Sequence, residues 1–538
     1  MKRYIKSIMT AGLVSLTLAN TSCMEDVMPT SSTAIDEQIA ASSSAAEALV
    51  MAMPAYANDV WTTSSHCYFG YPAEMIIRDM LTGDMHHIGE TNYSHFISWA
   101  RNQYMGSDYM KQQFHWNYYF GFVKAANNVI AAIDPEGATP AVKGLLGTAY
   151  AYRALLYLDL ARMYEFLPND IFASTNENGT PLLNLTVPIV TDETTADDAS
   201  YNPRATRDEM KDFIEKDLDL AEELIVGLES TSGNTLPDLA CVYGLKARLY
   251  MWVEDYEKAQ QYAHLAISNA AVRPLSQSAA LNTSTGYNTA SDFMWAGQQN
   301  SETYAVATGI INWTSWMSNQ TSFGYTGSST ALYVAMDRNM YERISDTDWR
   351  KLEFKAPAGS ALDGQNPFLD AAEGAAMPDY TAIKFRPGAG NAEEYSIGAA
   401  TAYPIMRVEE MYFIEAEAAA HQDASEGQSL INSFMKNYRD PAYNTTLSGD
   451  ALVEEIVFQK RVELWGEGHS FYDIKRLNYS VTRGYTGTNA QDVNTKLNTN
   501  GRPAWMNYVI VRTEENNNSA LVNFNNPDPS DQYDPWTE

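Results

Sequence analysis

Val142, Leu145, Leu146, Ala149, Arg153, Leu156, Leu160 and Met163 fall three or four residues apart, a spacing that only an α-helix gathers onto one face. Pro168 lies just beyond, as expected after a helix end. The same period returns over Arg207–Leu228 and Pro237–Ala270, and it predicts four further helices at Arg407–His421, Gly427–Tyr438, Ala451–Trp465 and Ser470–Leu477. Helices are also expected over Ile35–Tyr56 and Ser107–Ile133. Within residues 243–266, Tyr243, Ala247, Tyr250, Tyr256, Ala259, Ala263 and Ala266 take the aromatic and small positions of a tetratricopeptide unit, two antiparallel helices whose alanines let the backbones approach. The segment from Ala149 to Tyr164 reads as half of another such unit. One unit cannot bury its own faces, so several are expected to stack. The expected fold class is mainly α, a tetratricopeptide-like scaffold with a loop-rich, irregular ligand-binding insertion.

That insertion is residues 276–403, where Gly, Ser, Thr, Asn and aromatics scatter without helical period. Residues 58–105 carry Gly70, Pro72, Gly83 and Gly89 and are likewise expected to be mostly loop, and the tail after Asn478 polar and irregular. The start of the chain reads as a leader: Lys2, Arg3 and Lys6 precede an apolar run from Ile8 to Leu18, too short to span a bilayer. Asn20-Thr21-Ser22 then lead into Cys23. The expected parts are a signal peptide at 1–22, a tether at 23–34, an N-terminal helical region at 35–275, the insertion at 276–403, and a C-terminal region at 404–538.

Charge narrows the partners. With 36 basic against 67 acidic residues the net charge is −31, which argues against nucleic acid or an anionic membrane surface, since both require clustered Lys and Arg. A neutral ligand fits better. Three cysteines make no disulfide framework and no C-x-x-C pair suggests zinc. The aromatic content, 12% of the chain, is higher than a helical scaffold alone requires.

Two C-terminal segments carry a family likeness. Pro404-Ile-Met-Arg407-Val-Glu-Glu410, followed by Ala416-Glu417-Ala418, and then Arg461-Val-Glu463-Leu464-Trp-Gly-Glu467-Gly468 with Asp473-Ile-Lys-Arg476, resemble the paired signatures of the SusD/RagB family. Trp116 with Ala125-Ala-Asn127-Asn-Val-Ile130, and Arg153-Ala-Leu-Leu-Tyr157, are similar to two further family patterns. Gln459-Lys460 departs from the family's usual Glu-Arg, and the usual Asn-Pro-Gly ending is absent. Cys23 followed by Glu25 and Asp26 looks like the lipidation site and surface-export tag of a Bacteroidetes lipoprotein.

The charged residues of these signatures recur three and four apart on helices, which suits ion pairs that lock helix to helix. Glu463 and Glu467 are alternatively spaced to serve as a glycosidase's paired carboxylates, but the neighbouring arginines would keep both ionised, whereas a general acid must hold a proton. No H-E-x-x-H, P-loop, G-x-S-x-G or Rossmann pattern appears. His86, His87 and His95 with Glu90 form the one local histidine cluster, expected to make contacts and hold no metal. The family resemblance admits a surface calcium without assigning ligands, and no other cofactor is expected.

The resemblance implies a cell-surface, outer-membrane lipoprotein, anchored through Cys23, that binds an oligo- or polysaccharide and passes it without catalysis to a SusC-like TonB-dependent transporter. A helical-repeat adaptor and a glycoside hydrolase are the alternatives. By the same resemblance, the glycan site draws on the loop after the first helix and on the insertion, placing Arg78, Asp79, Trp99 and Asn102 in the first and Trp295, Trp313 and Trp316 in the second. Loop aromatics stack on pyranose faces while amides, guanidinium groups and carboxylates bind hydroxyls. Trp61, Trp349, Tyr304 and Tyr325 are further loop aromatics, whereas Trp116, Trp252 and Trp465 lie on helices and are expected to pack. Because the chain repels polyanions, the expected ligand is a neutral chain such as a plant β-glucan.

Overall fold

The computed structural model describes residues 42–538, so Cys23 and the leader lie outside the described residues. The principal helices are α1 (Ser43–Val50), α2 (Ala52–Tyr56), α3 (Tyr71–Met80), α4 (Met110–Ala132), α5 (Pro140–Tyr164), α6 (Arg207–Leu224), α7 (Leu239–Trp252), α8 (Tyr256–Asn269), α9 (Trp313–Met317), α10 (Val408–Gln422), α11 (Ala424–Tyr438), α12 (Asp450–Glu463) and α13 (Ser470–Arg476). Strands β1 (Met85–Gly89) and β3 (Leu332–Met336) pair antiparallel, as do β2 (Trp295–Gln298) and β4 (Ala402–Met406). Each ribbon sews the insertion to a helical half. Among the described residues no helix is long and apolar enough to cross a membrane.

The sequence explains the stacking. Thr139 and Thr206 accept amide hydrogens at the starts of α5 and α6, the latter in a capping box with Glu209. α8 buries only Ala259, Ala263 and Ala266, the small stripe that allows α7 on one side and α10 on the other to approach. Successive packing of α5 on α6, α6 on α7, α7 on α8, α8 on α10 and α10 on α11 builds the expected repeat stack. Trp116, Trp252 and Trp465 are buried in it.

Two expectations need amending. Residues 58–105 are mostly irregular as expected but also contain α3 and β1, because Pro72 sits at the start of α3 and Gly70 just before it. These are start signals that read as breakers when seen without their helix. The tail after Asn478 is irregular but not polar in its contacts: Trp505, Met506, Tyr508, Ile510 and Val511 enter the main core.

The charged signatures form a buried lattice at the junction of α10, α12 and the insertion. Glu463 accepts from Arg407 at 2.7 Å, Arg439 at 2.6 Å and Arg350 at 3.2 Å. Arg407 also reaches Glu467 at 2.8 Å, which Lys384 of the insertion contacts at 2.7 Å. Glu410 pairs with Arg248 at 2.6 Å, Glu417 with Arg476 at 2.5 Å and Asp473 with Lys460 at 2.9 Å. Burial alone would raise the pKa of Glu463, but Arg439 and Arg407 outweigh it and hold the carboxyl well below its ordinary range. A proton donor for glycoside cleavage needs the opposite shift.

Candidate functional site

All seven residues expected to touch a ligand are buried, which corrects that expectation. Arg78 and Asp79 on α3 face inward: the Arg78 guanidinium donates to the Gly468 carbonyl at 3.0 Å and to the Tyr119 hydroxyl at 3.1 Å, and Asp79 accepts the Gly468 amide at 3.1 Å. Gly468 has φ +76°, and a Cβ there would lie 2.8 Å from Met75 of α3. The last glycine of the second signature is thus a clasp on α3. Trp99 is 1% exposed, lies under the Lys111 ammonium at 4.6 Å and donates to His115 at 3.4 Å. Asn102 donates to the Pro529 carbonyl at 2.6 Å, holding the tail. Trp295 donates to the Thr235 carbonyl at 3.2 Å, and Trp313 packs edge-on against Phe385 at 5.0 Å. These tryptophans anchor loops; large aromatic area is most useful where a segment lacks regular hydrogen bonding to hold it.

Burial pushes the Asp79 carboxyl up to about 7, and Glu353, also buried, to about 7. A carboxyl whose folded pKa lies above its unfolded value of about 3.9 binds its proton more tightly when folded, so its contribution favours folding at low pH and is lost as pH rises through the folded value. Asp79→Asn is therefore expected to raise the melting temperature at about pH 8, with the gain shrinking toward about pH 5. Thermal melts of both proteins across that range check it, and a pH-independent difference would contradict the assignment.

The surface brings other residues together. The ring of Tyr325 lies parallel to the Trp316 indole, with centroids 4.2 Å apart and planes 4° from parallel. His66 and His95 stack on each other at 4.9 Å and meet Tyr325 edge-on, His95 at 5.1 Å. The Tyr325 hydroxyl is hydrogen-bonded to His66 Nδ1. Trp316 is fully buried, donates its indole N–H to the His66 carbonyl at 3.1 Å and rests edge-on against Phe96 at 4.9 Å. Tyr325, His66 and His95 are half-buried, with Tyr93 exposed beside them in sequence, and Ser64, Asn92, Ser328 and Ser329 of the same loops are exposed.

Local backbone chemistry builds this platform. Asn312 caps α9, from which Trp316 projects. The chain then turns back at Gly324, φ +91°, where a Cβ would lie 2.7 Å from Ser315. The amides of Tyr325 and Thr326 close the turn on the Ser315 carbonyl at 2.9 and 3.0 Å. His95 Nδ1 accepts the His66 amide at 3.3 Å, so neutral His95 carries its proton on Nε2, a donor left for a ligand. Burial lowers the pKa of both histidines, and for His95 the neighbouring His66 lowers it further, so both are neutral at pH 7. The platform offers a supported aromatic ring, a neutral N–H donor and hydroxyl and amide groups, with no free charge of its own. Among the described residues no group of three or more His, Cys, Asp or Glu is placed to hold a metal ion.

Two family models match the chain: a SusD-like family described as starch-binding and associating with the outer membrane over residues 26–251, and the SusD family over residues 370–527. The chain belongs to the SusD/RagB family. No curated protein matches it in sequence. Among solved structures, a SusD-like carbohydrate binding protein from Bacteroides vulgatus ATCC 8482 superposes with a TM-score of 0.69 at 21% identity, covering 89% of this chain and 97% of the other. A SusD superfamily protein from Bacteroides thetaiotaomicron VPI-5482 gives 0.65 at 18% identity, covering 90% and 100%. A laminarin binding SusD-like protein gives 0.60 at 16% identity, covering 90% and 99%. These likenesses support the mainly α fold.

Within the SusD/RagB frame the two expected loop regions do meet, with Trp316 of the expected residues as the buried support and Tyr325, His66 and His95 around it. Tyr325 is visible in the sequence as a loop aromatic and His95 as part of the local histidine cluster; His66 stands apart from that cluster, its partners 29 and 259 positions away. The SusD family is one of carbohydrate-binding proteins.

Proposed function

We propose that this chain captures a neutral oligo- or polysaccharide at the cell surface and delivers it to a SusC-like TonB-dependent transporter, without cleaving it. The observation that carries the reading is the Tyr325 ring backed face to face by Trp316 and flanked by His66 and His95. A rigid aromatic face with neutral donors at its edge suits the apolar face and equatorial hydroxyls of a pyranose. A β-glucan is the favoured class, in keeping with the charge of −31 that repels polyanions and with a laminarin-binding relative of the same fold. The absence of catalysis is supported by the binding of Glu463 and Glu467 within the arginine and lysine lattice.

Affinity electrophoresis in gels containing laminarin, other neutral glucans or a polyuronate tests the ligand class. Retardation is expected in neutral β-glucan and not in polyuronate. Tyr325→Ala is expected to weaken that binding by about 1–3 kcal/mol, by analogy with stacking of bases on aromatics, with an unchanged circular dichroism spectrum. Retention of full affinity would remove Tyr325 from the site. New reducing ends released from any of these glucans would replace the capture reading by an enzyme. Anchoring through Cys23 is checked by Cys23→Ala, which should release the protein from the outer membrane fraction, and the transporter by co-purification.

A further inference from the structure

We propose a second carbohydrate-binding groove on this chain, separate from the Tyr325 platform and formed where the C-terminal segment crosses the loop before α4. It rests on the glycan-binding reading for its ligand class. The cavity measures about 1030 Å³, at the top of the range of about 300–1,000 Å³ in which small-molecule sites fall. Its walls come from residues 106–109, 171–178 and 509–532, and none of the platform residues lines it.

The walls are tied to one another. The Arg512 amide donates to the Ser107 carbonyl at 3.0 Å, and its guanidinium meets Asp108 at 3.1 Å and Glu515 at 3.0 Å. Asn176 donates to the Asn523 carbonyl at 2.7 Å. Asn525 holds both the amide and the carbonyl of Ile510 at 2.8 Å. The groove is preformed, so a ligand would not have to order these segments.

Tyr109 of the lining, 42% exposed, meets Tyr104, 54% exposed and next to the groove but not part of its lining, edge to face at 5.3 Å. Ile171 and Val522 are also exposed along it. Polar groups of the lining are mainly amides, with four carboxylates against the single guanidinium of Arg512. That balance turns away uronates, phosphates and sulfated chains. Two tyrosine rings, apolar walls and a surplus of amide donors and acceptors fit a neutral oligosaccharide, whose rings alternate apolar faces with hydroxyl edges. With two such places on one chain, a long polysaccharide binds more tightly than either place alone provides.

Calorimetry with short and long neutral β-glucans on the full mature chain tests this. Short oligosaccharides are expected to bind wild-type protein at two sites, and Tyr104→Ala/Tyr109→Ala and Tyr325→Ala each at one. For long glucan the tyrosine double variant should lose at least about tenfold in affinity, with an unchanged melting temperature. Wild-type stoichiometry and affinity in the double variant would overturn the groove while leaving the platform standing. Loss of all binding in Tyr325→Ala alone would do the same. If wild-type protein binds no neutral glucan, the glycan reading itself fails, and the groove with it.

Discussion

Glu463→Ala is expected to destabilise the protein by about 3–5 kcal/mol, the usual penalty for removing one member of a buried ionic cluster. The loss is large because three guanidinium groups, those of Arg350, Arg407 and Arg439, share this one carboxylate, and all four side chains are fully or almost fully buried. Truncation leaves them repelling each other in a low-dielectric interior with a void between. Glu463→Gln keeps the shape and removes the charge, so it should still be strongly destabilising but less so than alanine. Because the folded pKa of Glu463 is depressed, its stabilisation is present above the unfolded value of about 4.3 and is lost as pH falls through the folded value. Urea denaturation at neutral pH measures the effect. A midpoint unchanged in Glu463→Ala would mean that the lattice contributes nothing to stability, and the structural account of the second signature would be wrong.

Trp316→Ala should act on both stability and binding. Removing a fully buried indole costs about 3–5 kcal/mol through lost burial and the cavity left behind. The same side chain backs Tyr325 and holds the His66 carbonyl, so its loss frees the platform to tilt. Affinity for neutral glucan is expected to fall by as much as in Tyr325→Ala, although Trp316 is itself hidden from the ligand. Trp316→Phe should recover part of both losses, and a double-mutant cycle with Tyr325 should give a coupling of about 0.5–1.5 kcal/mol, typical of aromatic pairs. Affinity electrophoresis well below the melting temperature separates the binding effect from unfolding. Full affinity in folded Trp316→Ala would show that Tyr325 needs no support.

The helices were legible because their signal is local. In α5 and α8 the apolar and alanine positions repeat within one turn, with Thr139 and Pro140 marking the start of α5 and Asp255 capping α8. The ion pairs of the signatures were legible in kind, since alternating charges on helices must find partners, but their geometry was not: Glu463 draws Arg350 from the insertion, 113 positions away. The platform was least legible. A tryptophan in a segment without periodicity looks the same whether it faces solvent or anchors the segment, and Trp99, Trp295, Trp313 and Trp316 all anchor. The smaller aromatics that remain accessible, Tyr325, His66 and His95, come together only through a turn at Gly324 and contacts between distant loops.

The clasp between α3 and Gly468 bears on how the chain reaches its folded state. It spans 390 positions, the Trp505 indole donates to the Leu81 carbonyl across 424, and Asn102 holds Pro529 across 427. Contacts of such separation cannot close while the later part of the chain is still being made, and they slow folding because so much loop must be ordered before they form. The N-terminal third therefore waits for the last residues before its centre is sealed, so the finished core forms only once the whole chain is available.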